Sequence, residues 1–438
     1  LLAFPLDVRE KLIYSLASNR LALGVDMKKW IVLIVVLLFL STILATSLEV
    51  SAAPVSYQRV VVRVSPVVNY DLVKSQVIGL SKSLGGSLVS EIPEIRAIVL
   101  SVPASGVSYL SKINGVLTVE VDKPARAHGE VQWNIYMVNA PKVWSSYSPY
   151  YGDAAYGYHS TIRVAVVDTG IDYTHPDLYG AVTWCVVSLN NGATFYKGTT
   201  LSRCSDNNGH GTHVAGIIAA RLNGKGVAGV APKALLYAVK VLDASGSGYV
   251  SDIARGIIEA TKGPDGKPGT SDDADVISMS LGSPYDSTTL HDAVKYAYSY
   301  GVVLVAAAGN EGGSSPDYPA AYPEVIAVGA VDSNGNVPSW SNRYPDVVAP
   351  GVNILSTYPG GKYAYMSGTS MATPHVSAVA ALIQALRLAA GKPKLTPSQM
   401  YYVLAYTAVD LGAYGYDPYY GYGLVNAKAA VDYALYYM

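Results

Sequence analysis

Between Ile162 and Ala349 the chain alternates uninterrupted apolar, β-branched runs with stretches of helical periodicity, and this alternation limits the possible folds severely. The apolar runs are Ile162 to Val167, Leu235 to Val241, Val276 to Met279, Val302 to Ala307, Val325 to Val328 and Val347 to Ala349. Helices are expected at about Gly211 to Ala220, Val250 to Lys262 and Leu290 to Tyr300. A strand that is apolar on both sides must be covered on both faces, so the pattern predicts an α/β domain with a parallel sheet between helices. Ligands of such sheets bind beyond the C-terminal strand ends. Asp168, which follows the first run, is therefore placed where chemistry is expected.

A smaller unit precedes this domain. From Tyr57 to Asp122 the order reads strand, helix, strand, strand, helix, strand, carried by Val60 to Val64, Asp71 to Leu84, Ser87 to Ser90, Ile95 to Val102, Ala104 to Ile113 and Val116 to Val121. That order predicts a ferredoxin-like α+β unit. Lys123 to Gly129 is small, polar and turn-prone, hence a linker. Further upstream, Met27-Lys28-Lys29-Trp30 opens the apolar stretch Ile31 to Leu40, which runs on to the small residues Ser51-Ala52-Ala53. A positive start, an apolar middle and a small-residue end make a secretory signal; an uncleaved membrane anchor is the alternative. Leu1 to Asp26 stands ahead of that signal, which points to Met27 as the initiator. The expected layout is 1–26 extension, 27–53 signal, 54–128 small α+β domain and 129–438 α/β domain.

With 31 basic and 32 acidic residues the chain carries no net field to draw it to nucleic acid or anionic lipid. Tyrosine stands at 36 against 3 phenylalanines, read as core filler and amphipathic surface, with a carbohydrate-stacking face as the alternative. Cys185 and Cys204 are the two cysteines. In an exported chain they predict one disulfide, worth about 3 kcal/mol for a loop of this size; two buried free thiols are the other reading.

Three short segments carry the chemistry: Val166-Val167-Asp168-Thr169-Gly170, Asn208-Gly209-His210-Gly211-Thr212-His213 and Gly368-Thr369-Ser370-Met371-Ala372-Thr373-Pro374. An aspartate, a histidine and a serine at segment edges are the parts that activate a hydroxyl nucleophile. Ser370 opens the helical run Met371 to Leu388, where backbone N–H groups favour negative charge, although a serine there also serves as a plain N-cap. His210 and His213 have a spacing that could ligate metal, but no third ligand lies nearby in sequence. Asp172 competes with Asp168 as the carboxylate.

From about Gly129 onward these segments closely resemble the signature segments of the subtilisin-like serine proteases. The resemblance implies a secreted or cell-surface serine endopeptidase, monomeric, acting on proteins or peptides, with Asp168, His210 and Ser370 as its triad. Asn310, in Ala306-Ala307-Ala308-Gly309-Asn310, is implied as oxyanion donor, and a turn asparagine is the plain alternative. Ser280, Leu281, Gly282 and Gly246, Ser247, Gly248 are implied as the segments that hold an extended substrate, with Ala308, Gly309 and Glu311 around the specificity pocket. The small N-terminal domain is implied as a propeptide, a folding template and inhibitor that the enzyme itself removes between Asp122 and Val131. Structural calcium is implied at Asp177 with Asn223. The turn-rich insert Gly263 to Asp275 adds Asp265, Asp272, Asp273 and Asp275 as a second cation candidate, because hard cations want several oxygens; unliganded surface carboxylates are its alternative. A membrane-tethered processing protease and a catalytically silent protein of the same fold are the competing functions.

Overall fold

The computed structural model describes residues 56–122 and 131–438. The expected extension, signal segment and linker with its expected cleavage point lie outside these residues. Among the described residues no helix is long and apolar enough to cross a membrane. The chain divides into two compact units, Leu1–Arg126 and Ala127–Met438.

In the first unit β1 (Tyr57–Val64), β2 (Ser87–Ile92), β3 (Ala97–Pro103) and β4 (Val116–Val121) form an antiparallel sheet in the order β2-β3-β1-β4. Helices α1 (Tyr70–Ser83) and α2 (Val107–Leu110) complete the β-α-β-β-α-β order expected from the sequence. Alternate residues of a strand face opposite sides, so Val60, Val62 and Val64 point together into a core with Val73, Val77, Ile98, Leu100 and Leu110. Asn69 caps α1 by accepting the Leu72 N–H at 3.1 Å.

The second unit opens with α3 (Trp133–Met137) and α4 (Ala140–Tyr151) and is built on an eight-stranded sheet. Its strands are β5 (Arg163–Asp168), β6 (Val182–Leu189), β7 (Thr194–Gly198), β8 (Leu235–Lys240), β9 (Val276–Met279), β10 (Val303–Ala307), β11 (Val325–Val331) and β12 (Val347–Pro350), in the order β12-β11-β10-β9-β5-β8-β6-β7. All pairs are parallel except β6 with β7. The expected parallel sheet is therefore present, with an antiparallel hairpin added at one edge.

The two-sided strands sort their side chains by parity. Val164, Val166, Val303 and Val305 face one core, while Ala165, Val167, Ile277, Leu304 and Ala306 face the other. On the first side lie α5 (His210–Ala219) and α8 (Thr369–Ala389); on the second lie α6 (Val250–Lys262) and α7 (Thr288–Ser299). Helix α8 is buried from Met371 to Arg387, as a helix that is apolar on all sides must be. A hairpin, β13 (Ile354–Tyr358) and β14 (Lys362–Met366), leads into it, and α9 (Pro397–Tyr406) and α10 (Ala427–Tyr436) close the unit. The tyrosines do both jobs expected of them: Tyr237 is buried, while Tyr402, Tyr406 and Tyr433 form a ring cluster with centroids 5.0–6.1 Å apart.

Cys185, on β6, is disulfide-bonded to Cys204, so the free-thiol reading falls.

Candidate active site

Three neighbouring strands deliver three of the expected residues to one edge of the sheet. β5 ends on Asp168, β9 is followed by Ser280, and β10 is followed after two residues by Asn310. Helix α8, which carries Ser370 in its first turn, packs along β9, β10 and β11, while α5, which begins with His210, packs on β5 and α8. The sheet order thus gathers residues more than 200 positions apart.

Asp168 is fully buried and meets His210 with both oxygens, Oδ1 at 2.8 Å and Oδ2 at 2.9 Å from Nδ1. The Thr169 N–H donates to Oδ1 at 2.7 Å and fixes the carboxylate. Asp172 instead accepts bonds from Thr174 and the Gly360 N–H, which removes it from competition. Burial works against a charged His210 ring, but the charge and hydrogen bond of Asp168, with the charge of Asp206, outweigh it and raise the imidazole pKa. Gly211 has to be glycine: a methyl group there would lie 2.2 Å from the Gly170 carbonyl.

The start of α5 is held by Asp206, a residue that the sequence reading passed over. Its Oδ2 accepts from the N–H and hydroxyl of Thr212 at 2.9 and 2.6 Å, and its Oδ1 accepts from the Gly209 N–H and the Thr169 hydroxyl, both at 2.9 Å. One buried carboxylate therefore ties the Asp168 strand end to the His210 helix end. Lys240, also buried, caps the Thr169 carbonyl and bonds Asn207 Oδ1 at 2.9 Å.

His213 is not a partner of His210 in metal binding. Its Nε2 lies 3.0 Å from the carbonyls of both Ile354 and Ala364, and burial, stronger than those bonds, pushes its pKa down to about 4.

Ser370 is the second residue of α8, whose N-cap is Gly368, so its hydroxyl is not spent on capping. Its Oγ donates to the Ser280 carbonyl at 3.2 Å, and the Ser280 hydroxyl donates back to the Ser370 carbonyl at 2.7 Å. Asn310 Oδ1 accepts from the Thr369 N–H at 2.8 Å and the Thr369 hydroxyl at 3.0 Å. With Oδ1 anchored there, Nδ2 is the end of the amide turned outward as a donor. The loop is shaped by Asn342, a second residue missed from sequence, whose Oδ1 accepts the Glu311 and Gly313 N–H groups and whose Nδ2 donates to the Ala308 carbonyl at 3.0 Å.

The two expected substrate segments differ in burial. Gly246, Ser247 and Gly248 are exposed on a turn, and Asn208 Nδ2, two residues before His210, donates to the neighbouring Ala244 carbonyl at 3.0 Å. Ser280 is buried, Leu281 half-buried and Gly282 exposed, so that segment emerges from the sheet to meet solvent.

The cation candidates separate. Asp177 and Asn223 do come together, with Asn223 Nδ2 donating to Asp177 Oδ1 at 2.9 Å, but Oδ2 is already taken by the Val227 N–H at 3.0 Å and the Tyr363 hydroxyl at 2.9 Å. In this structure donors from Asn223, Val227 and Tyr363 satisfy this buried carboxylate. Asp265, Asp272 and Asp273 each offer one carboxylate oxygen within 4.8 Å of the others, the oxygen-rich set a hard cation wants, and Asp272 and Asp273 also accept the Asp265, Gly269 and Thr270 N–H groups. Asp275 corrects the expected group of four: its oxygens go to Lys394 at 2.6 Å and the Arg163 N–H at 2.9 Å.

The chain's relatives agree with this geometry. Residues 159–423 match the model of the subtilase family. An alkaline protease of Alkalihalobacillus alcalophilus is 43% identical over 346 residues, 78% of this chain and 81% of that protein. Subtilisin Savinase of Lederbergia lenta is 47% identical over 273 residues, 62% of this chain and 91% of that protein, and subtilisin E of Bacillus subtilis (strain 168) is 38% identical over 356 residues, 80% and 84%. A buried aspartate on a histidine, a serine at the head of a buried helix and this degree of likeness make the chain a member of the subtilase family, a subtilisin-like serine endopeptidase.

Proposed function

We propose that the protein is an exported endopeptidase made as a precursor, in which Asp168, His210 and Ser370 act as the triad and the N-terminal α+β unit is a propeptide removed by the enzyme itself. The observation that carries this reading is the two-oxygen contact of buried Asp168 with His210 Nδ1. It fixes the tautomer that leaves Nε2 as the base, and it stabilises the imidazolium formed when the Ser370 proton is taken. The hydroxyl leaves the Ser280 carbonyl, attacks the peptide carbonyl, and His210 returns the proton to the leaving amine. Water then releases the acyl group by the same steps in reverse. The oxyanion is stabilised by Asn310 Nδ2 and the Ser370 N–H, aimed from a helix start where negative charge is favoured. An extended substrate adds as a strand to Ser280–Gly282 and to the Gly246–Gly248 turn. Peptide hydrolysis by the purified chain and by a Ser370→Ala variant tests the reading; a variant as active as its parent would refute it.

Acid should silence the enzyme before it unfolds it. Catalysis needs a neutral His210, whose raised pKa means that activity fades as the pH falls through a value above the ordinary histidine range. His213 and His375 are buried and neutral, each pushed down to about 4, chiefly by burial. Their folded pKa values are depressed, so their contribution is fully present above about 6.5 and is lost as the pH drops toward 4, roughly 3 kcal/mol apiece. Urea unfolding of the Ser370→Ala chain, which cannot digest itself, should show the midpoint falling over that window. A midpoint unchanged from pH 7 to pH 4.5 would contradict it.

Calcium is proposed at the loop of Asp265, Asp272 and Asp273, where it would offset the mutual repulsion of three carboxylates and take no part in catalysis. At a hundredfold excess over Kd such binding adds about 2.7 kcal/mol. A chelator should therefore lower Tm while initial rates at low temperature stay unchanged, and Asp273→Asn should abolish the Tm response. A Tm indifferent to chelator would remove the cation from this loop.

A further inference from the structure

One acidic side chain in the cleft has no part in the machinery above. Asp317 lies between the two segments that border Ser370: its N–H donates to the Ala308 carbonyl at 2.8 Å, and Tyr318 next to it exchanges backbone bonds with Ser283 at 2.8 and 2.9 Å. Both walls are glycine at the point of contact. A methyl group on Gly282 would stand 3.0 Å from Asp317 Cβ, and one on Gly309 would stand 2.8 Å from Asp317 Oδ2 and 2.9 Å from Glu311 Oε2. The two carboxylates thus converge over Gly309, the neighbour of Asn310, and no bulk at either glycine covers them.

Glu311 is partly occupied, since its Oε2 accepts the Asn310 N–H at 2.8 Å and Asn342 Nδ2 at 3.3 Å. Asp317 is half-buried, and among the described residues no side-chain or backbone donor bonds its carboxylate and no Lys or Arg pairs with either acid. Burial first, and then the charge of Glu311 and a proton shared with it, raise the Asp317 pKa. A carboxylate in that setting is relieved by a cation.

We propose that Asp317, seconded by Glu311, selects lysine or arginine on the acyl side of the bond cut. The inference rests on the endopeptidase reading above. The residue whose carbonyl Ser370 attacks projects its side chain between Ser280–Gly282 and Ala308–Gly309, the space that Asp317 closes. A basic side chain lays its methylene stem along half-buried Leu281 and brings its charge to the two acids. A neutral chain of equal length fills the same space and leaves the Asp317 carboxylate without a partner, and a site built around polar groups rejects the analogue that cannot meet them. An acidic side chain is repelled outright.

The test is a set of internally quenched peptides identical except for the acyl residue: lysine, arginine, norleucine or glutamate. The parent enzyme should show kcat/KM for lysine at least tenfold above its uncharged isostere norleucine, with glutamate lowest. Asp317→Asn, which keeps the shape, should reduce the lysine-to-norleucine ratio about tenfold. Asp317→Lys should invert the order of lysine and glutamate, and high salt should narrow the parent's preference. A parent that cleaves norleucine and lysine peptides equally, with a ratio unmoved in Asp317→Asn, overturns the proposal while leaving the endopeptidase reading intact. A parent that cleaves none of the peptides, like its Ser370→Ala variant, fells that reading and the proposal with it.

Discussion

A Ser370→Ala chain is expected to lose about 10⁶ in kcat, a size carried over from subtilisin itself as a family expectation, and to accumulate as the uncleaved precursor. His210 is braced on Nδ1 by both oxygens of Asp168 and through Asp206 by the start of its own helix, so its remaining nitrogen has one task, to accept the Ser370 proton. Without the hydroxyl the base has no nucleophile to activate, and only the oxyanion donors remain to favour attack by water. If the α+β unit is cut away by the same active site, disabling that site leaves the two units joined. Gel mobility and the N-terminal sequence of the purified product report this directly, in a host stripped of its own proteases. Normal removal of the N-terminal unit from the alanine chain would show that another enzyme does the cutting. Fold loss is not a confounder, because the Ser370 side chain makes a single bond, at 3.2 Å.

What the sequence disclosed and what it hid divide along a physical line. The central strands were legible because they are apolar on both faces, and β5, β9 and β10 lie where continuous Val, Ile, Leu and Ala runs put them. The hairpin β13–β14 was not: β14 reads Lys-Tyr-Ala-Tyr-Met, half exposed and short, although Pro359-Gly360-Gly361 ahead of it is a turn signal that could have found it. β7 is hidden for the same reason, being short and largely exposed. Asp168, His210, Ser370 and Asn310 could be picked out because each sits in a short string whose neighbours serve the same step. Asp206, Asn342 and Asp317 could not, since each acts between loops that only the folded sheet brings together. Asp275 shows the converse error. It stands two residues from Asp273, but its N–H already bonds the Arg163 carbonyl at the sheet edge, so its side chain turns to Lys394 and away from the other three carboxylates.

Asn310→Leu is the second large effect expected, about 10²–10³ in kcat, again a magnitude whose source is subtilisin. The side chain is held by Thr369: two donors, the N–H at 2.8 Å and the hydroxyl at 3.0 Å, fix Oδ1, and Thr369 immediately precedes the nucleophile. A donor anchored to the residue next to Ser370 keeps its aim as the carbonyl carbon becomes tetrahedral and its oxygen moves toward the amide. The ground-state carbonyl, planar and uncharged, gains little from it. Leucine keeps the volume and removes both the donor and the acceptor, which also leaves the N–H of fully buried Thr369, at the head of α8, without the Asn310 oxygen it bonds. The loss should therefore appear in kcat with KM little changed, the mark of an interaction made chiefly in the transition state. Asp168, His210 and the acids at Asp317 and Glu311 are untouched, so the preference among acyl residues should survive in the slow variant. A large rise in KM at unchanged kcat would instead make Asn310 a ground-state contact of the substrate, and the oxyanion would then have to be stabilised by the Ser370 N–H and the helix start without it.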